Sequence, residues 1–219
     1  LLCSTGRWSR KEVKDLVRQG RVSADDRTVL RPEEKADPET VRLTVDGAEV
    51  ICAPFVYVML HKPAGVLSAT EDRSQPTVLD LLPPELRRRG LFPVGRLDKD
   101  TTGLLLLTDD GALTQRLLHP SHQVEKEYLV WVAGNVQKAL PILSAPMELD
   151  GEPLAPARVR RGRDSGGVHQ LSIVVCQGKN RQVRRMCAQA GLEVLRLKRI
   201  REGGLCLDQS LRPGRWRPL

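Results

Sequence analysis

Apolar positions along this chain follow two different rhythms. In the first fifty residues Val13, Leu16 and Val17 recur at i, i+3 and i+4, which predicts an amphipathic helix from about Arg10 to Gln19. Ser9, with Glu12 three residues on, forms a capping box at its start, and Gly20 stops it. Arg21-Val22-Ser23 and Val41 to Val45 then alternate as short strands, with Asp46-Gly47 as a turn. From Val56 the period shortens to that of strands. Val56 to His61 runs into the turn Lys62-Pro63-Ala64-Gly65, and Glu127 to Val132 and Gln170 to Val175 are strands by β-branched content and alternation. Leu104 to Leu107 is a continuous apolar run closed by Asp109-Asp110-Gly111, the pattern of a strand buried on both faces and then a turn. Thr77 to Leu82, ended by Pro83-Pro84, and Ala112 to Leu118, stopped by His119-Pro120, read as short helices. Val194 to Ile200 mixes apolar with basic positions, so one face is expected in the core and the other outside. The predicted fold class is α+β. A mixed, largely antiparallel sheet over residues 54–219 follows a small α/β module over residues 1–48, with a short connection between them.

Length and composition fit this division. The 219 residues suffice for one medium and one small domain. No apolar run approaches the roughly 18 residues of a membrane span, so no membrane partner is expected. No basic stretch followed by an apolar core is visible at the start, and the chain opens on Leu1 rather than Met, so further natural residues are expected before it. Five cysteines at spacings of 49, 124, 11 and 19 fit neither a zinc site nor a disulfide framework. Reduced thiols in a cytoplasmic protein are the expectation.

Charge changes the picture more than composition does. Residues 158–219 carry fifteen Lys/Arg against four Asp/Glu, and residues 1–21 carry six against two, whereas residues 51–157 carry ten against thirteen. Two separated basic regions suit a polyanion held at two places, with a steep salt dependence; a basic surface serving solubility is the plainer alternative. The sharpest candidate for chemistry is Asp98, in Gly95-Arg96-Leu97-Asp98-Lys99-Asp100-Thr101-Thr102-Gly103, immediately before the leucine strand. A rigid strand holds a reacting group more accurately than a loop alone. Taken alone, an Arg-x-Asp pair beside a strand is more often a structural salt bridge.

The whole string, from Gly-Arg-Leu-Asp through Thr102-Gly103-Leu104 to Thr108-Asp109-Asp110-Gly111, resembles the motif that carries the catalytic aspartate in pseudouridine synthases of the family that modifies ribosomal RNA. Three other segments resemble that family's. Lys62-Pro63-Ala64-Gly65 is similar to its entry turn, Lys126-Glu127-Tyr128 to its Lys-x-Tyr motif, and Gly178-Lys179-Asn180-Arg181-Gln182-Val183-Arg184-Arg185-Met186 to its third motif. Ser9 to Val22 resembles an S4-type RNA-binding domain that lacks the start of its first helix.

The resemblance implies isomerisation of uridine to pseudouridine with neither cofactor nor metal. Asp98 would be the nucleophile or C2′ base, Tyr128 would lie against the target base, and Arg184 would be the basic partner of Asp98. Arg96 would support the loop or contact the extruded nucleotide, and Leu197 would face the uracil pocket. Arg181 and Arg185 would face phosphates, as would Arg10, Lys11, Lys14 and Arg18 on the first helix. A guanidinium at about 4 Å contributes roughly 4 kcal/mol at intermediate dielectric, which matters for Asp98 only if it is buried. Attack at C1′, addition at C6 and a glycal route all stay open.

Two other readings compete. One is a non-catalytic RNA-binding, ribosome-assembly protein. The other is a metal-dependent phosphoryl-transfer enzyme using Asp98, Asp100, Asp109 and Asp110, although a four-residue strand would separate the two pairs by about 13 Å. The expected partner is ribosomal RNA or a subunit assembly intermediate, met by a monomer. Ser68 to Asp72 and the Asp100-Thr101-Thr102-Gly103 form point to small-subunit RNA, whereas Gly178 to Gln182 resembles the large-subunit enzymes. Small-subunit RNA is the expected target and large-subunit RNA the alternative.

Overall fold

Ser9 and Glu12 close the capping box in both directions: the Ser9 hydroxyl accepts from the Glu12 N–H and the Glu12 carboxylate from the Ser9 N–H. The computed structural model describes residues 1–38 and 40–219. Helix α1 (Arg10–Arg18) buries Val13, Leu16 and Val17 against a four-stranded sheet. Its strands are β1 (Val22–Ala24), β2 (Arg27–Thr28), β3 (Leu43–Val45) and β4 (Ala48–Glu49), all antiparallel in the order β2-β1-β3-β4. Val22, Leu43, Val45 and Val50 complete a hydrophobic cluster that belongs to this body alone. The Asp46 carboxylate takes both ends of the Arg21 guanidinium at 2.7 and 2.6 Å, which ties the β3–β4 turn to the end of α1.

The remainder is built on one sheet of nine strands. In chain order it runs β5 (Tyr57–Lys62), α2 (Pro84–Arg88), β6 (Phe92–Pro93), β7 (Thr102–Thr108), α3 (Gly111–Leu118), β8 (Lys126–Gly134) and α4 (Val136–Ser144). A two-stranded ribbon of β9 (Glu148–Leu149) and β10 (Glu152–Pro153) follows. The chain continues with β11 (Arg158–Ser165), β12 (Val168–Val175), α5 (Gln182–Gln189), β13 (Leu192–Glu202), β14 (Leu205–Cys206) and β15 (Trp216–Pro218). The order across the large sheet is β11-β12-β8-β13-β7-β5-β15, with β14 on β13 and β6 on β7. Among the described residues every strand pairing within this sheet is antiparallel except β13 with β7. At that parallel join a Cβ on Gly103, at φ +112°, would lie 2.1 Å from the Arg199 carbonyl oxygen, so only glycine lets the two backbones meet.

The leucine run is buried on both faces, as its pattern predicts. Leu105 and Leu107 pack with Val58, Leu60 and Leu91, while Leu104 packs with Met59 and Leu207 on the other side. A second cluster sets α4 and α5 against β8 and β12 through Leu143, Val183, Met186, Val130, Val132, Leu171 and Ile173. The Asp-Asp-Gly turn does more than reverse the chain. Asp110 caps α3 by accepting from the Leu113 N–H, and Asp109 accepts from the Val56 N–H and from Arg89, which also donates to the Ala53 and Pro54 carbonyls. The turn therefore anchors the connection between the two bodies.

Four segments differ from the sequence reading. Helix α4 carries Pro141 inside it and was not predicted. Strand β11 is a polar, exposed edge whose arginines show no alternation of buried positions. In β13 the register shifts at Leu195 and again at Ile200. These bulges re-aim the side chains, leaving Leu195 half exposed and turning Arg199 inward until only 2 % of it is accessible. Residues 77–82 form a 3₁₀ turn at Val78–Leu81 rather than an α-helix.

Candidate active site

The loop before β7 hangs from a buried ammonium. Lys62, the last residue of β5, is wholly inaccessible, and its Nζ donates to the carbonyls of Pro63, Asp98, Lys99 and Thr101 at 3.0 to 3.2 Å. Burial pulls its pKa down to about 8, against the opposing attraction of the Asp100 and Asp98 carboxylates. Ser68 holds the other side of the loop, accepting from the Leu97 N–H at 3.0 Å and donating to the Leu97 carbonyl at 2.9 Å. Gly65 N–H donates to the Lys99 carbonyl at 2.8 Å. Asp98 is thus carried on backbone fixed from three directions.

Its carboxylate, 24 % exposed, faces two arginines from the third motif. Arg184 Nε, on α5, lies 3.9 Å from Asp98 Oδ2, and its Nη2 sits 2.9 Å from Asp100 Oδ2. Arg181 Nη1 lies 3.8 Å from Asp98 and 3.6 Å from Asp100. The expected pairing of Arg184 with Asp98 is therefore a long contact, and the short one goes to Asp100. Arg184 Nε is buried with no hydrogen-bond acceptor among the described residues, so it is aimed at Asp98 and uncommitted. A displacement of about 1 Å would bring the pair to the 2.7–2.9 Å of a charge-assisted bond.

Tyr128, on β8, and Leu197, on β13, line the same cleft as Asp98, a cavity of about 60 Å³. Burial raises the Tyr128 phenol above its ordinary pKa, and the nearby Arg199 guanidinium opposes that shift. Behind Tyr128, Arg199 is ion-paired with Glu202 at 3.1 Å and donates to the Leu104 carbonyl at 2.8 Å. That second bond reinforces the parallel β13–β7 join beside the loop. A further cavity of about 370 Å³ lies on the other side of Tyr128. Arg96 lines both cavities and is exposed, with no ion pair to Asp98 among the described contacts.

The remaining sequence candidates are placed elsewhere. Arg185 is engaged by Asp150 through both guanidinium ends. Arg10, Lys11, Lys14 and Arg18 are exposed along α1, with Arg18 on Asp15 at 2.9 Å. Asp109 and Asp110 stand at the opposite end of β7 from Asp98, as strand length predicts. No group of three or more potential metal ligands occurs among the described residues. Sequence reasoning passed over Lys62 and Arg199 as site residues and named Asp100 only in the competing metal-dependent reading. For Lys62 a signal existed, since a lysine ending a largely apolar strand must find acceptors if it is buried.

Comparison with known proteins gives a consistent result. The family described as RNA pseudouridylate synthase matches residues 56–189. The Bacillus subtilis protein named Uncharacterized RNA pseudouridine synthase YtzG is 42 % identical over 221 residues, covering 100 % of this chain and 92 % of that one. A Vibrio cholerae protein named Ribosomal large subunit pseudouridine synthase B is 38 % identical, covering 100 % of this chain and 70 % of its own length. A solved structure described as pseudouridylate synthase superposes over 100 % of this chain and 93 % of that one, with a TM-score of 0.65 at 29 % identity.

Proposed function

The chain belongs to the RNA pseudouridylate synthase family and is a pseudouridine synthase acting on RNA, and from that premise we propose that its substrate is a uridine of ribosomal RNA, with large-subunit RNA the favoured target. The observation that supports the catalytic reading is that Asp98 and Tyr128, from distant stretches of sequence, line one cleft with Leu197, while Arg184 stands beside it with its Nε 3.9 Å from Asp98. The large-subunit reading is supported by the relatives bearing that name and by the Gly178 to Gln182 segment. The Ser68 to Asp72 segment favours the small subunit, so that target remains the second reading. Mapping pseudouridine in both ribosomal RNAs after deleting the gene, and after restoring it, decides between them. Loss of a small-subunit site alone would overturn the first choice, and loss of none would overturn the ribosomal target.

In the reaction the N1–C1′ bond breaks, the base turns, and C5 bonds to the same sugar carbon. C5 gives up its proton and N1 gains one, so atoms and charge balance without an added group. The target nucleotide must first leave its stack, at a cost of a few kcal/mol. Asp98 supplies the carboxylate for the covalent or C2′-deprotonating step. Arg184 orients that carboxylate, Leu197 packs on the uracil, and Tyr128 holds the ring and handles the C5 proton.

Asp100 acts on this chemistry through Arg184, holding its Nη2 so that Nε faces Asp98. A hydrogen bond to a charged group is worth about 1.5 kcal/mol or more, close to a tenfold rate effect. Asp100→Asn is therefore expected to lower the single-turnover rate about tenfold while KM stays near wild type. An equal rise in KM would instead assign Asp100 to RNA binding.

The module over residues 1–48 supplies a second RNA contact through the exposed Arg10, Lys11 and Lys14 of α1. Each phosphate neutralised adds about 0.7 to 0.9 to the slope of log affinity against log salt. Replacing the three by alanine is expected to weaken RNA binding and flatten that slope by about 2. An unchanged slope would remove α1 from the interface.

A further inference from the structure

The larger cavity beside Tyr128 is not used by the chemistry above, although it shares a wall with the catalytic cleft. Tyr128, Arg96, Gln177, Gly178 and Lys179 border both cavities. At about 370 Å³ it falls within the roughly 300–1,000 Å³ of small-molecule sites, whereas the catalytic cleft, at about 60 Å³, does not. Its floor holds three buried charged side chains: Lys126, Arg199 and Glu202. Arg199 and Glu202 are paired with each other. The Lys126 ammonium makes one hydrogen bond among those described, to the Val124 carbonyl at 2.9 Å, and an ammonium has three donors. The floor thus carries one net positive charge with spare donors. Leu118, Pro120 and Val124 give an apolar side to the same space, suited to a flat ring. Arg96 stands exposed where the two cavities meet.

We propose that this cavity receives the base of a nucleotide neighbouring the target uridine, with an acceptor-rich edge of that base turned to Lys126 and the intervening phosphate on Arg96. The inference rests on the pseudouridine synthase reading. A second extruded base repays its unstacking through these contacts and gives the enzyme a sequence preference at a position where no bond is made or broken.

Cys176 lines the cavity and is half-buried, while Cys3 and Cys206 are exposed outside it. This permits a direct test on a short RNA carrying the mapped uridine. Alkylation of each cysteine by iodoacetamide, followed by mass spectrometry, would be compared with and without RNA. RNAs lacking one base in turn at the two positions on either side of the target would follow. The expected result is protection of Cys176 but not of Cys3 or Cys206. One abasic position should abolish that protection and lower kcat/KM about tenfold. Leu118→Trp, which fills the cavity from its partly exposed rim, should lower kcat/KM similarly on intact RNA and cause no further loss on that abasic RNA. If every abasic RNA still protects Cys176 and reacts within twofold of the intact one, the proposal is overturned. Absence of product from wild-type enzyme on intact RNA would instead overturn the reading on which it rests.

Discussion

Asp98→Asn is expected to abolish pseudouridine formation, lowering the single-turnover rate by about 10³-fold or more while the protein stays folded. The substitution keeps the size of the side chain and removes its charge, so it tests the carboxylate alone. Positioned acid–base groups contribute about 10²–10⁴-fold, and loss of a covalent nucleophile costs at least as much. Stability should change little, because the Asp98 side chain is partly exposed and its nearest guanidinium atoms stand 3.8 and 3.9 Å away. Surface-type ion pairs of that length contribute about 0–1 kcal/mol. In cells, the Asn variant should fail to restore the modification lost on deletion. Restoration to the wild-type level would remove Asp98 from the chemistry, and the proposed role of Arg184 with it.

Lys62→Met should be nearly as damaging to activity and much more so to stability. Methionine fills similar space but leaves the carbonyls of Pro63, Asp98, Lys99 and Thr101 without their donor in a site closed to water. Leaving buried acceptors unsatisfied costs about 1–3 kcal/mol each, so a loss of about 3–5 kcal/mol is expected for the set. For a chain of this size that corresponds to a drop in Tm of roughly 6–20 °C. Because the same carbonyls position Asp98, a shift of about 1 Å in the loop would cost about 10²-fold in rate. The pH dependence adds a second readout. With the Lys62 pKa pulled from 10.5 to about 8 on folding, the unfolded chain binds the proton more tightly between those values. Its contribution to stability is therefore least favourable below pH 8 and rises through that window. The gap in Tm between wild type and variant should widen from pH 8 to pH 10. A variant with wild-type Tm and rate would show that the loop is held by Ser68 and Gly65 without the ammonium.

The elements that could be read along the chain are those whose burial is settled locally. The capping box at Ser9 and Glu12, the 3.6-residue recurrence of Val13, Leu16 and Val17, and the leucine run of β7 each state their own surroundings. Asp98 was legible through the resemblance of its whole string to the family's motif, because its local pattern alone reads as a structural salt bridge. The polar edge strand β11 and the interrupted helix α4 were not legible. An edge needs no apolar alternation, and Pro141 contradicts the local preference that α4 follows only because its apolar face packs on the sheet.

What the sequence by itself determined is the division into a basic helical module and a sheet body, whereas Asp98, Tyr128 and Arg184 were singled out by the resemblance of their motifs to the family's. Tertiary structure alone decided their partners. The bulge at Leu195 in β13 set Leu197 and Arg199 together on the buried face behind Tyr128, and the parallel join at Gly103 brought that strand against the Asp98 loop. Folding set Arg184 hard against Asp100 and only loosely against Asp98, and placed the Lys62 ammonium under four carbonyls. The physical reason is range. Hydrophobic periodicity and capping act over a few residues and are written in order along the chain. The electrostatics of a site act through space, between side chains whose separation in sequence carries no trace of their distance.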